Sequence, residues 1–365
     1  MNILVYYQNH YHTVFLESLC EGFIKRGHSV QLLTTCSAGQ LHKEMEKLGV
    51  RTYSYTPGSI NVLHYIKHFT YLIRFCKAHN IDVVYSHLQF SNLIALLSQY
   101  FISAKVFPCR HHSNEVMILG NKNALRIDKL VSRFAKRIIV VSSAVKEQMI
   151  KHEGVSPQKI QVIHLGYNFN LYHKPDPAIA SEIRNTMNCK MLLIIISRMT
   201  RSKQHVLAAQ VLDNLLKKKL DVKMIMMDQG KEKERIVEFL RTKGIEDKVL
   251  FTGFVNNTMN YLNAADLLVH PSFTEASNQV VKEAALLNKP SIVCKRVGDF
   301  EEYIVNEQNG FLVDPNNLVN EMTEMIEKYY TRIDDLKKLG SNIHDTVITR
   351  FSIDPVCDQY LELAV

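Results

Sequence analysis

The chain has 365 residues, 46% of them apolar and 22% charged, with a formal net charge of +8. The length supports two domains of ordinary size, and the composition excludes a disordered chain. No apolar run reaches the length a bilayer crossing needs. The positive balance leaves nucleic acid, an anionic membrane surface, a phosphorylated lipid and a nucleotide donor as partners. Zero Trp and only modest basic clustering argue against a nucleic-acid platform, so no nucleic acid is expected.

The chain enters a strand-like run directly after Met1, with no basic-then-apolar leader, so a cytoplasmic location is expected. Its seven cysteines are scattered without C-x-x-C spacing, which suggests buried free thiols and neither zinc nor a redox pair.

Residues 2–7, NILVYY, read as a buried strand, 15–26 as a helix closed by Gly27, and 29–34 as a second strand. Strand, helix, strand is the start of a doubly wound α/β sheet. The loop between the first strand and helix, QNHYHT, holds no glycine. His10, Tyr11 and His12 either put side chains towards a ligand or only cap the loop. Residues 41–48 read as a short helix, 51–55 as a strand and 65–78 as a basic helix. IDVVYSH at 81–87 is a strand that brings Ser86 and His87 to the carboxyl edge of the sheet, where open α/β sheets bind ligands. A helix at 93–100 and a weak strand at 105–109 lead into Arg110, His111, His112, Ser113 and Asn114. Two adjacent histidines titrate near neutrality, and no third ligand stands at a usual zinc spacing. Arg110 could meet a phosphate or an acidic acceptor.

The helix expected at 125–137 carries Arg126, Lys129, Arg133, Lys136 and Arg137. It is either an ordinary solvated face or a basic face that meets an anionic membrane. Strands at 138–142 and 159–164 close the first half, and Pro175 and Pro177 suit a linker.

A second α/β half opens with the strand 191–197, the loop RMTRSK and a helix at 206–218. It continues through a strand at 221–227, a charged helix at 231–243, the strand and turn KVLFTGF and a short helix at 258–264. In HPSFTEASNQVVKEAALLNKP (270–290) a buried strand ends. Glu275 then falls in a loop, and Ser277 or Asn278 caps a helix to about 287 with Glu283 in its second turn. Two carboxylates thus bracket the free backbone N–H groups of Ala276, Ser277 and Asn278. Such a site suits a polyhydroxylated ligand carrying a phosphate. SIVCK, VGDFEEYI and NGFLV follow. Two helices are expected within 318–338, and a last helix at 352–363.

The 270–290 segment resembles the E-x7-E signature of the retaining glycosyltransferases of family 4 (glycosyl transferases group 1). The resemblance extends in order through Arg198, Lys203, FTGF and NGFLV. It implies the GT-B fold: two doubly wound, Rossmann-like α/β domains facing each other across a cleft, with a C-terminal helix crossing back. Residues 1–170 would bind the acceptor, 171–349 the donor, and 350–365 would form the crossover helix. By the same resemblance, Glu275 contacts the donor sugar and Glu283 the nucleotide ribose. Arg198 and Lys203 match the pair on the donor diphosphate, and Gly253 and Phe254 lie against the base. His111, with His112 as the alternative, is the catalytic-site histidine. Fixed cations beside a leaving diphosphate lower the cost of its growing charge.

The implied activity is retaining transfer from a nucleotide-sugar to a hydroxyl, with a UDP-sugar the favoured donor. No cofactor or metal is expected. The acceptor would be a glycan, a lipid-linked molecule or a small molecule, in polysaccharide, lipopolysaccharide or other glycoconjugate synthesis at a cell envelope. The chain departs from the family pattern at the glycine-free first loop, at Ser197 and Asp299, which stand where glycines are usual, and at LGYN in the hinge. Those departures keep alternatives open. One is an inverting GT-B transferase or a sugar-nucleotide epimerase, with His10 or His12 as base. Another is a non-catalytic scaffold.

Overall fold

The computed structural model describes residues 1–56, 58, 62–118 and 120–365. The chain divides into two compact units, Met1–Tyr172 with Phe351–Val365, and His173–Arg350.

The first unit is built on a seven-stranded parallel sheet. Its strands are β1 (Asn2–Tyr7), β2 (Ser29–Thr34), β3 (Arg51–Ser54), β4 (Val83–His87), β5 (Lys105–Arg110), β6 (Ile138–Val140) and β7 (Ile160–Val162). Their order is β3-β2-β1-β4-β5-β6-β7. Runs such as ILVY and VVYSH are buried along their whole length, as strands covered by helices on both faces must be. The order reverses between β1 and β4. The ends of these two strands therefore part into a crevice, the usual ligand position in such sheets. The closing helix, Ile353–Ala364, lies on the first helix, Val14–Lys25, where Tyr360 is fully buried against Phe23 and Tyr85. A Cβ on Gly22 would stand 2.3 Å from the Cys357 sulfur, so only glycine lets these helices meet. Arg26 ties the contact at the surface by reaching Asp354 at 3.2 Å and Asp358 at 2.7 Å.

The second unit carries a six-stranded parallel sheet. Its strands are β8 (Met191–Ile196), β9 (Val222–Met227), β10 (Val249–Gly253), β11 (Leu267–His270), β12 (Ser291–Cys294) and β13 (Phe311–Val313). Their order is β10-β9-β8-β11-β12-β13, with the reversal between β8 and β11. The RMTRSK loop leaves β8 and the Glu275 loop leaves β11, so the two most distinctive sequence segments emerge side by side at the switch point.

Several helices differ from the sequence reading. The basic helix expected at 125–137 runs Lys122–Phe134, with Ala135 as its extended C-cap, so Lys136 and Arg137 lie beyond its end. The one expected at 93–100 runs Gln89–Ser98. Its N-cap is Leu88, which has no capping side chain, so nothing in the sequence announces the start. The last helix of the second unit runs Ile333–Arg350, well past 338. It continues through Gly340, where a Cβ would stand 1.9 Å from the Asn288 carbonyl oxygen. There a glycine marks close packing and not a helix end. Of the seven free cysteines, five are buried, and Cys36 and Cys189 are half-buried.

Candidate active site

In the second unit the loop after β8 closes in a short turn at Arg201–Lys203, and Gln204, at φ 54°, begins the helix His205–Lys217. This places the Lys203 ammonium 2.5 Å from Glu275 Oε1. The same oxygen lies 2.6 Å from His270 Nε2, at the end of β11. Glu275 is 8% exposed. Burial pushes its carboxyl pKa up, but the His270 hydrogen bond and the charges of His270 and Lys203 outweigh that and hold it down to about 2. Glu275 is therefore an anion at any working pH.

Asn278 settles the capping question. It is the N-cap of the helix Gln279–Leu286, and its Oδ1 accepts from the Val281 N–H at 3.0 Å. Its Nδ2 is consequently a donor. That group's 3.1 Å approach to His270 Nε2 brings together two donors, because the His270 proton goes to Glu275.

Ser277 is held from another side. Its hydroxyl donates to Asp299 Oδ2 at 2.6 Å, and Lys282 Nζ reaches the same oxygen at 2.7 Å. Lys282 and Asp299 form a fully buried ion pair, with the ammonium also 5.0 Å from the Tyr303 ring centroid. Asp299, a departure at the level of the sequence, thus serves as the counter-charge of Lys282. Between them they pin the loop after β12 to the first turn of the helix, and with it the Ala276–Ser277–Asn278 backbone. Gly298, at φ +55°, packs so closely that a Cβ would stand 2.9 Å from the Glu275 Cβ.

The other expected donor residues stand apart. Glu283 is half-buried and accepts from Gln279 at 2.9 Å. The Arg198 guanidinium is exposed and pairs with no acid among the described residues. Gly253 adopts φ +68° and its carbonyl accepts from Asp228 N–H at 2.8 Å. Phe254 beside it is 72% exposed. Among the described residues, no group of three or more His, Cys, Asp or Glu side chains gathers to hold a metal.

In the first unit, His87 at the end of β4 and His111 just beyond β5 meet with Nδ1 and Nε2 2.8 Å apart. Burial, aided by the neighbouring His112, pushes His111 down to about 4, and burial pushes the fully enclosed His87 well below its usual range. The two neighbouring histidines are thereby told apart. His111 faces His87, whereas His112 Nε2 lies 2.8 Å from Asp128 Oδ2, which also accepts from Gln89 at 2.9 Å.

Arg110 is not available to a phosphate or an acidic acceptor. Its guanidinium is buried in a two-pronged pair with Glu153 at 2.8 and 2.7 Å, because the side chain points off β5 into the interior. In the first loop, His10 Nδ1 is 3.1 Å from the Ser37 carbonyl and His12 Nε2 is 3.2 Å from the buried Glu17 carboxylate. The sequence reading assigned no role to His270, Lys282, Asp128 or Glu153. Only His270 carried a usable signal, a polar residue closing an apolar strand, the same rule that singled out His87.

Residues 12–171 match the model of Glycosyltransferase Family 4, and residues 181–345 match that of Glycosyl transferases group 1. The N-acetyl-alpha-D-glucosaminyl L-malate synthase of Bacillus anthracis is 23% identical over 346 residues, covering 92% of this chain and 88% of that protein. A phosphatidylinositol N-acetylglucosaminyltransferase subunit of Saccharomyces cerevisiae is 22% identical, covering 94% and 77%. The crystal structure of Anabaena HepE in complex with UDP-glucose superposes with a TM-score of 0.82 at 22% identity, over 100% of this chain and 99% of that one. The two family matches adjoin and take in both units, each with its own parallel sheet. The chain belongs to the glycosyltransferases of the GT-B fold, with a family 4 first unit and a group 1 second unit.

Proposed function

We propose that this glycosyltransferase moves a sugar from a UDP-sugar to a hydroxyl acceptor with retention at the anomeric carbon. The observation that carries the proposal is the ionised Glu275 held against Lys203, with the unpaired Arg198 on the same loop as that lysine. Lys203 and Glu275 satisfy each other. An arriving donor exchanges that contact: the diphosphate takes the Lys203 and Arg198 cations, and the sugar hydroxyls donate to Glu275. As the sugar–phosphate bond breaks, charge grows on the diphosphate, where the two fixed cations stabilise it most. They do there what a divalent ion does elsewhere, which supports a reaction without one. Glu283 accepts from the ribose hydroxyls, the exposed Phe254 ring and the Gly253 turn meet the base, and the Ala276–Asn278 backbone meets the sugar and phosphate. His111 contacts the transferring sugar. In the front-face route the departing phosphate takes the acceptor proton.

Support for uridine comes from the HepE complex, whose ligand is UDP-glucose. For the acceptor, a cavity of about 440 Å³ opens at the carboxyl edge of the first sheet, lined by Gln8, Thr35, Thr56, His64, Tyr65 and Phe90 among others, with no carboxylate, lysine or arginine among the described residues of its wall. With Arg110 neutralised by Glu153, that edge suits a neutral hydroxyl-bearing terminus, such as the end of a glycan.

The membrane reading rests on the helix Lys122–Phe134. Arg126, Lys129 and Arg133 are exposed there together with Leu130 and Phe134. No helix among the described residues is long and apolar enough to cross a membrane. Salt-sensitive co-sedimentation with anionic vesicles, lost on Arg126→Glu/Arg133→Glu, is the expected outcome. Equal binding to neutral vesicles would remove this part of the proposal.

A second reading keeps one specific support. His12 backed by the buried Glu17 carboxylate is the arrangement of an activated general base, as an inverting transferase would need. The decisive screen incubates the protein with a panel of nucleotide-sugars and hydroxyl acceptors, followed by mass spectrometry. The proposal expects a UDP-sugar to be consumed and Glu275→Ala to abolish transfer. Wild-type turnover in Glu275→Ala would overturn the site.

A further inference from the structure

His87 and His111 stand at the ends of neighbouring parallel strands, with His87 directly across from Cys109 in register. The strand ends are braced. Asn92 Nδ2 donates to the Cys109 carbonyl at 3.0 Å, and the Ser86 hydroxyl donates to Asn92 Oδ1 at 2.8 Å. The residue after His87 is Leu88, at φ 73° and ψ 165°, a region that side-chain-bearing residues rarely enter. A strained turn kept beside a buried histidine indicates that the direction of that histidine matters.

The 2.8 Å contact between His87 Nδ1 and His111 Nε2 can hold its proton in two ways. If His111 donates, the proton of neutral His87 must sit on Nε2. That atom is fully buried, packed near the edges of Tyr7 and Phe15, and has no hydrogen-bond partner among the described residues. A buried N–H without an acceptor is among the rarest features of folded proteins, rarer than an unused acceptor. If His87 donates, the orphaned Nε2 is a bare lone pair, the cheaper state. Placing a proton on both nitrogens and on both rings would put two cations in contact. The charged and titratable groups nearest the pair are His112, which disfavours a further positive charge, and Tyr7. No carboxylate touches either ring among the described residues.

We propose that His87 is a positioning residue that donates from Nδ1 to His111 Nε2 and so locks His111 in the Nδ1–H tautomer, facing the reaction as a hydrogen-bond donor. The assignment rests on the reading of His111 as the histidine at the transferring sugar. It makes His111 a donor to an oxygen of that sugar, and it removes His111 as the base for the acceptor hydroxyl, because the only bare nitrogen of His111 is occupied by His87. Burial that keeps both rings neutral is consistent with this assignment.

The test is nitrogen-15 NMR of histidine-labelled protein, with the His111 signals identified by their loss in His111→Asn. In the wild type, His111 Nδ1 is expected to be of the protonated type and Nε2 of the bare type. In His87→Leu the tautomers mix or reverse, and kcat falls about 10- to 100-fold while the donor KM stays within about threefold. In His87→Asn, whose amide N–H overlays the imidazole Nδ1–H, both the tautomer and most of kcat return. A proton on His111 Nε2 in the wild type overturns the proposal, as does an unchanged tautomer in His87→Leu. Should His87→Leu fail to fold, the wild-type and His87→Asn spectra decide. Absence of any transfer by the wild type would count against the functional reading and leave the tautomer result standing.

Discussion

The two units place opposite electrostatics at corresponding places, the carboxyl edge of a parallel sheet beside its switch point. In the second unit the edge is charged. Glu275 is held ionised by Lys203 and His270, and a buried Lys282–Asp299 pair stands one layer behind. In the first unit the nearest charges are spent on one another, Arg110 on Glu153 and His112 beside Asp128, and what remains is a pair of imidazoles kept neutral by burial. Under the proposed function the charged edge exchanges its ion pairs with a diphosphate, and the other offers directed hydrogen bonds without net charge. A leaving group that gains charge needs the first environment, and a sugar carbon and an acceptor hydroxyl need the second.

The largest expected effect breaks the charged edge. Lys203→Ala should lower kcat by about 10²- to 10³-fold in a transfer assay, since it removes one of two fixed cations from the departing diphosphate. Turnover within about threefold of wild type would show that Lys203 is not on that charge. Next in size is the pair behind it. Asp299→Ala leaves Lys282 buried and uncompensated, and should cost about 3–5 kcal/mol in the urea transition of the second unit. Adding Lys282→Met should recover most of that loss. No recovery would mean that Asp299 acts through something other than the lysine.

Acid sharpens the contrast. Glu275 has a folded pKa depressed from 4.5 to about 2, so its contribution is present above 4.5 and lost as the pH falls towards 2. His111 is lowered from 6.5 to about 4, so the unfolded chain binds its proton first, and stability falls as the pH drops from 6.5 to 4. Each window corresponds to up to about 3 kcal/mol. Urea midpoints across pH should flatten in the upper window for His111→Asn and in the lower one for Glu275→Gln. Identical pH slopes in wild type and variants would contradict the assigned charge states.

Much of the fold was legible because buried parallel strands announce themselves. MLLIII, LLVH and IIV could hardly be anything else between amphipathic helices. Arg198, Lys203, Glu275 and Glu283 were singled out by the resemblance of their segments to the family pattern; of these the structure brings Lys203 to Glu275, while Arg198 and Glu283 stand apart. What stayed hidden depended on contacts across the chain. His87 meets His111 from 24 residues away and Lys282 meets Asp299 from 17, and no local pattern marks either pair. Arg110 misled for the same reason, because a basic residue beside two histidines reads as a ligand contact until its partner Glu153 is seen 43 residues later. The helix at Gln89 began on Leu88, which sits at φ 73° with no capping side chain, so no local signal marked its start.

The stereochemistry of the product tests retention most directly. Proton NMR of the glycoside formed from an α-linked UDP-sugar should show an α product, as the proposed retaining transfer requires. A β product would contradict retention and move the chemistry to His12 in the first loop and Glu17 on the helix after it.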